Sequence, residues 1–211
     1  NTYIRAEESE ILSSFGDLTL IQLIVERGPD AVNSLPKGIR RSEGAVAETV
    51  ENNVRKLIIK ESPVDPEYYE KMSKLLDALI EQRRQGVVSY KEYLEKIAKL
   101  TKAATMPGGA TGAYPPSVKT AAQRALYNNL GKDGGLALAV DAAVLNSLQD
   151  DWRNNSGKTK RVRNGIRAVL EEAFAAAQTA GFTGVKQSRE TYSVEAETTR
   201  ILDLVKNQHG Y

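Results

Sequence analysis

The sequence predicts an all-α fold, an irregular bundle of about seven to eight helices, and three observations lead there. Apolar residues recur at spacings of three and four through most of the chain. Helix start and stop residues bracket nearly every such segment. Strand signals are confined to short stretches near Val87 and Phe182 that cannot seed a sheet.

Each element has its own warrant. Asp17 is placed to cap a helix running through Leu20, Leu23 and Ile24, which stops at Gly28-Pro29. Ser34 to Gly44 reads as loop. From Glu43, Val46, Val50, Val54, Leu57 and Ile58 line one face of a helix that must end before Ser62-Pro63. Asp65 caps the next, with Pro66 at its first position, where a missing N–H is harmless, and Tyr69, Met72, Leu75, Leu76, Leu79 and Ile80 as its stripe up to Gly86. Ser89 and Glu92 form a Ser-x-x-Glu capping box ahead of Tyr90, Tyr93, Leu94, Ile97 and Leu100.

Between Thr105 and Pro116 the chain is too rich in Gly and Pro for a regular element, so the expected organisation is a helical half at 1–104, a linker or loop at 105–116, and a helical half at 117–211. The two halves read as one assembly domain of a longer subunit. The second half offers helices from Ser117 to Leu130, closed by Gly131, from Gly135 to Arg153, and from about Lys160 to Ala180. A last helix is capped by Ser193 and carries Val194, Thr198, Ile201, Leu202 and Val205 on one face.

Composition narrows the function classes. The chain has 211 residues, 41% hydrophobic and 27% charged, enough to remove roughly 70% of its extended surface from water without a metal or disulfide staple. With no cysteine, thiol nucleophiles, iron–sulfur clusters and cysteine zinc sites are excluded, and a reducing, cytoplasmic setting is expected. A single histidine, His209, leaves no basis for a two-histidine metal site and places any Ser-His-Asp triad near the chain end, where fraying is the default. The formal net charge of +2 is too near balance for binding polyanions by bulk field. The longest apolar stretch, Gly134 to Leu145, is broken by Asp141 and falls short of the roughly 20 residues that cross a bilayer. The first residues, Asn-Thr-Tyr-Ile-Arg-Ala-Glu-Glu, have no signal-peptide pattern and no initiator methionine, so the chain reads as a fragment of something longer, with a processed secreted protein as the alternative.

Motifs that could carry chemistry are incomplete. Gly157-Lys158-Thr159 resembles the tail of a phosphate-binding loop, but Trp152 stands where the first glycine is needed. The adjacent acids Glu7-Glu8, Asp150-Asp151 and Glu171-Glu172 diverge on a helix, and no Glu-x-Lys triplet of a magnesium nuclease occurs. The most asymmetric charge is the stripe Arg153, Lys158, Lys160, Arg161, Arg163 and Arg167, with no acid between Arg153 and Glu171. It can neutralise phosphates, pair with acids of a partner or of this chain, or form a solvated helix face. Arg83-Arg84 and Lys37, Arg40 and Arg41 are smaller basic groups. Trp152, aligned with Leu145 and Leu148, reads as a core anchor, and Tyr68-Tyr69 and Tyr90 with Tyr93 as packing for a helical hairpin. His209 reads as a frayed terminal residue.

The run from Glu51 to Gln85, Glu-Asn-Asn-Val-Arg-Lys-Leu-Ile-Ile-Lys-Glu-Ser-Pro-Val-Asp-Pro-Glu-Tyr-Tyr-Glu-Lys-Met and onward to Glu-Gln-Arg-Arg-Gln, closely resembles the C-terminal helical region of the restriction (R, motor) subunit of type I restriction-modification enzymes. Leu18 to Gly28, Asp150-Asp-Trp-Arg-Asn-Asn with Lys160-Arg-Val-Arg-Asn-Gly-Ile-Arg, and Val205-Lys-Asn-Gln extend the resemblance over most of the chain, with the segment around Gly108 least alike. The resemblance implies a non-catalytic region that attaches the ATP-dependent translocase to the methyltransferase core of modification and specificity subunits. ATP and Mg would then serve only the full-length endonuclease, whose motor and nuclease motifs are absent from this sequence, and this region would hold no cofactor or metal of its own. Sequence-independent contact with duplex DNA backbone through the Arg153 to Arg167 stripe is the alternative role.

Overall fold

A computed structural model describes residues 17–107, 114–179 and 193–211. Among the described residues the regular structure is entirely helical: α1 (Asp17–Arg27), a 3-10 helix (Gly28–Ser34), α2 (Lys37–Arg40), α3 (Glu43–Glu61), α4 (Pro66–Arg84), α5 (Tyr90–Thr105), α6 (Ala121–Asn129), α7 (Gly134–Ser147), α8 (Ser156–Thr179) and α9 (Val194–Lys206). The expected all-α, multi-helix class is therefore what the chain adopts. No helix among the described residues is long and apolar enough to cross a membrane. The Phe182 stretch and the residues around Gly108 lie outside the described residues.

The chain forms two compact units, one of residues up to Lys60 with Met72–Met106, the other of Glu61–Lys71 with Pro107–Tyr211. The passage between them at Met106 and Pro107 falls within the Gly/Pro-rich segment, but Glu61–Lys71, which the sequence reading left in its N-terminal half, packs with the second.

In the first unit, the period of 3.6 residues selects what is buried. Val46, Val50, Val54 and Ile58 of α3, Met72, Leu76, Leu79 and Ile80 of α4, and Tyr93, Leu94 and Ile97 of α5 are all removed from water. Each such side chain contributes roughly 1.5–3 kcal/mol. Leu75, expected in the α4 stripe, is 46% exposed. Gly86 ends α4 at φ 68°, and the Val87 N–H closes the turn on the Gln82 carbonyl at 2.9 Å, a conformation a side chain would strain. At the start of α5 the Ser89 hydroxyl accepts from the Glu92 N–H at 3.2 Å, while the Glu92 carboxylate pairs with Lys96 at 2.8 Å. The loop expected at Ser34 to Gly44 holds the single turn of α2, begun by the Pro36 carbonyl accepting from the Ile39 and Arg40 N–H groups. One turn is too short to leave a periodic signal.

In the second unit, α6 to α9 enclose a core that includes Leu126, Val140, Val144, Trp152, Val162, Ile166 and Ile201. α6 begins at Ala121 rather than Ser117, because Thr120 and Gln123 form a reciprocal capping box that the sequence reading did not single out. α7 ends at Ser147 rather than Arg153: Leu148 is extended at φ −63°, ψ 142°, and Asp151 turns the chain at φ 55°. Leu145 is accordingly 52% exposed, while Trp152 enters the core from the turn and not from a helix. α8 starts earlier than expected, at Ser156, its Lys158 N–H donated to Asn155 Oδ1 at 3.0 Å. Gly165 lets α8 press against α7, since a Cβ there would lie 2.7 Å from Ser147 Oγ and 3.3 Å from the Ala143 carbonyl oxygen. Ser193 caps α9 through the Ala196 N–H, and Thr198, Ile201, Leu202 and Val205 form its buried face as expected.

Candidate functional site

The basic stripe is distributed by the fold into cations engaged within the second unit and cations left at the surface. Arg153 follows the buried Trp152, and its guanidinium lies 4.8 Å from the indole ring centroid. From there it donates through Nε to the Lys206 carbonyl at 2.9 Å and through Nη2 to the Gln208 carbonyl at 2.6 Å. These acceptors lie at the C-terminal end of α9, where helix carbonyls lack partners and a cation is favoured. Arg153 therefore helps close the fold.

Lys158 donates through Nζ to the Asp150 carbonyl at 2.6 Å, and Thr159 Oγ1 donates to the Trp152 carbonyl at 2.6 Å, which together fasten the turn to the start of α8. Gly157 lies in the first turn of a helix that directly follows a turn, so the incomplete Gly-Lys-Thr motif forms no phosphate-binding loop there. One turn further, Arg163 is paired with Glu195 of α9, an acid 32 residues away. Arg167 pairs with Glu171 at 2.8 Å and reaches Glu195 at 4.0 Å. Exposed pairs of this kind contribute roughly 0–1 kcal/mol each, so they orient the side chains more than they stabilise the unit. Lys160 and Arg161 are exposed and have no hydrogen-bond or ion-pair partner among the described residues. The intramolecular-acid alternative is thus realised at Arg163 and Arg167, and the surface free for a partner narrows to Lys160 and Arg161.

Buried carboxylates are the groups that sequence reasoning missed. In the first unit, Glu51 accepts from Arg83 Nε at 2.9 Å and from the Tyr93 hydroxyl at 2.8 Å, while the Arg83 guanidinium lies 5.5 Å from the Tyr93 ring centroid. Burial, then the bond to Glu51, holds the Tyr93 hydroxyl far above the usual tyrosine range. In the second unit, Asp141 accepts from Gln123 Nε2 at 2.9 Å and from the Tyr211 hydroxyl. Asp65 accepts from Asn128 Nδ2 at 2.6 Å, Asn129 Nδ2 at 2.8 Å and the Tyr68 N–H at 3.3 Å. Burial pushes the Asp65 carboxyl up to about 6 against the opposing effect of these donors. Asp141 had a visible signal, an acid interrupting an apolar run; Glu51 and Asp65 had none, because both positions read as ordinary helix surface and cap.

These clusters are held by internal partners, with the Tyr93 and Tyr211 hydroxyls donated to Glu51 and Asp141. Among the described residues no group of three or more His, Asp or Glu is placed to hold a metal ion, and His209 lies exposed in the turn after α9. No family model, no curated protein and no solved structure matches the chain.

Proposed function

We propose that this chain is a non-catalytic docking region of a type I restriction enzyme motor subunit, joining the ATP-dependent translocase to the methyltransferase core of modification and specificity subunits in the cytoplasm. The observation that carries this reading is the run Glu51 to Gln85, whose residues resemble that family over α3 and α4. Two features support it. Ile59 and Leu75, both within that run, are 66% and 46% exposed, the kind of apolar surface an assembly contact covers. The stripe through which the alternative role would contact DNA backbone keeps only Lys160 and Arg161 without a partner among the described residues, a small footprint for a binder that works by counterion release.

The second reading, sequence-independent contact with duplex backbone, draws on that exposed pair. Light scattering on a sizing column, of the chain alone, with the methyltransferase core and with a nonspecific duplex at low and moderate salt, separates the two. Docking predicts co-elution with the core that survives moderate salt, since apolar contacts are not screened. Failure to co-elute with the core at either salt overturns it. Duplex binding that disappears with salt and with Lys160→Glu plus Arg161→Glu establishes the alternative. The chain on its own is expected to turn over neither ATP nor DNA, and Mg-dependent cleavage lost on a point substitution would overturn that.

A further inference from the structure

Asp65 is 4% exposed, yet no lysine or arginine pairs with it among the described residues. The groups around it are neutral or acidic on nearly every side. Its own segment supplies Glu61, Glu67, Tyr68 and Tyr69, the residues before α6 supply Tyr114, and α6 supplies Asn128 and Asn129. The two cations that touch these groups are directed elsewhere. Arg124 lies over the Tyr114 ring, and Arg200 of α9, itself paired with Glu197, donates to Asn129 Oδ1 and to the Asn129 carbonyl. Gln208 donates to the Val64 carbonyl beside Asp65. A buried carboxylate satisfied only by neutral donors is a costly anion, even at a helix start where the dipole favours it.

The two asparagines differ in what they permit. Asn129 is locked: its oxygen accepts from Arg200 at 3.2 Å while its nitrogen donates to Asp65 and to the Ala125 carbonyl at 2.9 Å. Asn128 is reversible. Its nitrogen donates to Asp65 Oδ2 at 2.6 Å and to the Tyr114 hydroxyl at 3.0 Å, and its oxygen has no partner among the described residues. Turning that amide over puts its carbonyl oxygen between Asp65 and Tyr114, where it can accept a proton-bearing Asp65 oxygen and the Tyr114 O–H together. The amide can therefore serve either protonation state, but only the carboxylic acid is held without a buried, unmatched charge.

We propose that Asp65 is a proton-operated latch within the second unit: with its carboxyl protonated it clasps Glu61–Lys71 to α6, and as the carboxyl ionises the clasp loosens. The direction follows from burial. A carboxyl raised from 3.8 to about 6 binds a proton about a hundredfold more tightly in the closed unit than in the opened chain. Stability from this group is fully present below pH 4 and is lost as pH rises through 6.

The test uses the full chain and two readouts. The ¹³C resonance of the Asp65 carboxyl, assigned by through-bond correlation from its own backbone amide, is followed against pH, and amide exchange of residues 61–71, corrected for intrinsic rates, is compared at pH 5.5 and 7.5. The latch predicts titration near pH 6 and protection at least severalfold greater at pH 5.5 in the wild type, with no such difference in Asp65→Asn. Titration below pH 4.5, or protection of 61–71 that is equal at the two pH values, overturns it. The titration and the exchange comparison both use the wild type, so they stand even if Asp65→Asn fails to fold.

Discussion

Glu51 in the first unit and Asp65 in the second are both almost wholly withdrawn from water, 6% and 4% exposed, but they are compensated differently. Glu51 faces the Arg83 guanidinium and a tyrosine hydroxyl, so its negative charge is matched by a positive one across 2.9 Å. Asp65 faces two amides and a backbone N–H, which satisfy its oxygens without matching its charge. Asp141, also in the second unit, lies between an amide and a hydroxyl. Hydrogen-bond count is similar at these sites; what differs is whether an opposite charge is present, and that difference decides what neutralising the acid does.

The same chemical change, carboxylate to amide, separates the sites. Glu51→Gln should cost most, about 3 kcal/mol in denaturant unfolding at pH 7.5, because it leaves the Arg83 guanidinium facing an amide in a mostly dry site. Adding Arg83→Met should recover much of that loss, and additive losses would mean the pair is not coupled. Asp65→Asn should act in the opposite direction, gaining on the order of 2 kcal/mol at pH 7.5 and nothing near pH 4, since an amide serves equally well as a helix cap and carries no charge. A loss at pH 7.5 would place Asp65 in the same class as Glu51. Asp141→Asn should change stability by less than about 1 kcal/mol, because the new amide can accept from Gln123 and donate to the Tyr211 hydroxyl.

Much of the fold was legible because helix formation is local. Gly86 and Gly131, read as stops, both take φ near +67°, at 68° and 67°, and Ser89 and Ser193 cap the helices they were expected to cap. Errors fell where local signals compete with packing. Trp152 is at helical spacing from Leu145 and Leu148, so the pattern extended α7 to Arg153, whereas the indole is buried by leaving the helix. The candidate surface was legible only as a list of cations. That Arg163 meets Glu195, while Lys160 and Arg161 meet no acid among the described residues, depends on how α8 packs against α9.

The sequence alone determined the class of fold, most helix boundaries and the buried stripes, because capping, glycine geometry and the 3.6-residue period act within about one turn of the chain. Tertiary structure alone decided which charges are neutralised and which remain. The partners of Asp65 are 63 and 64 residues away, that of Arg163 is 32 away and that of Glu51 is 32 away. Over such separations no local preference acts, and the contact exists only because burying apolar faces brings distant helices together.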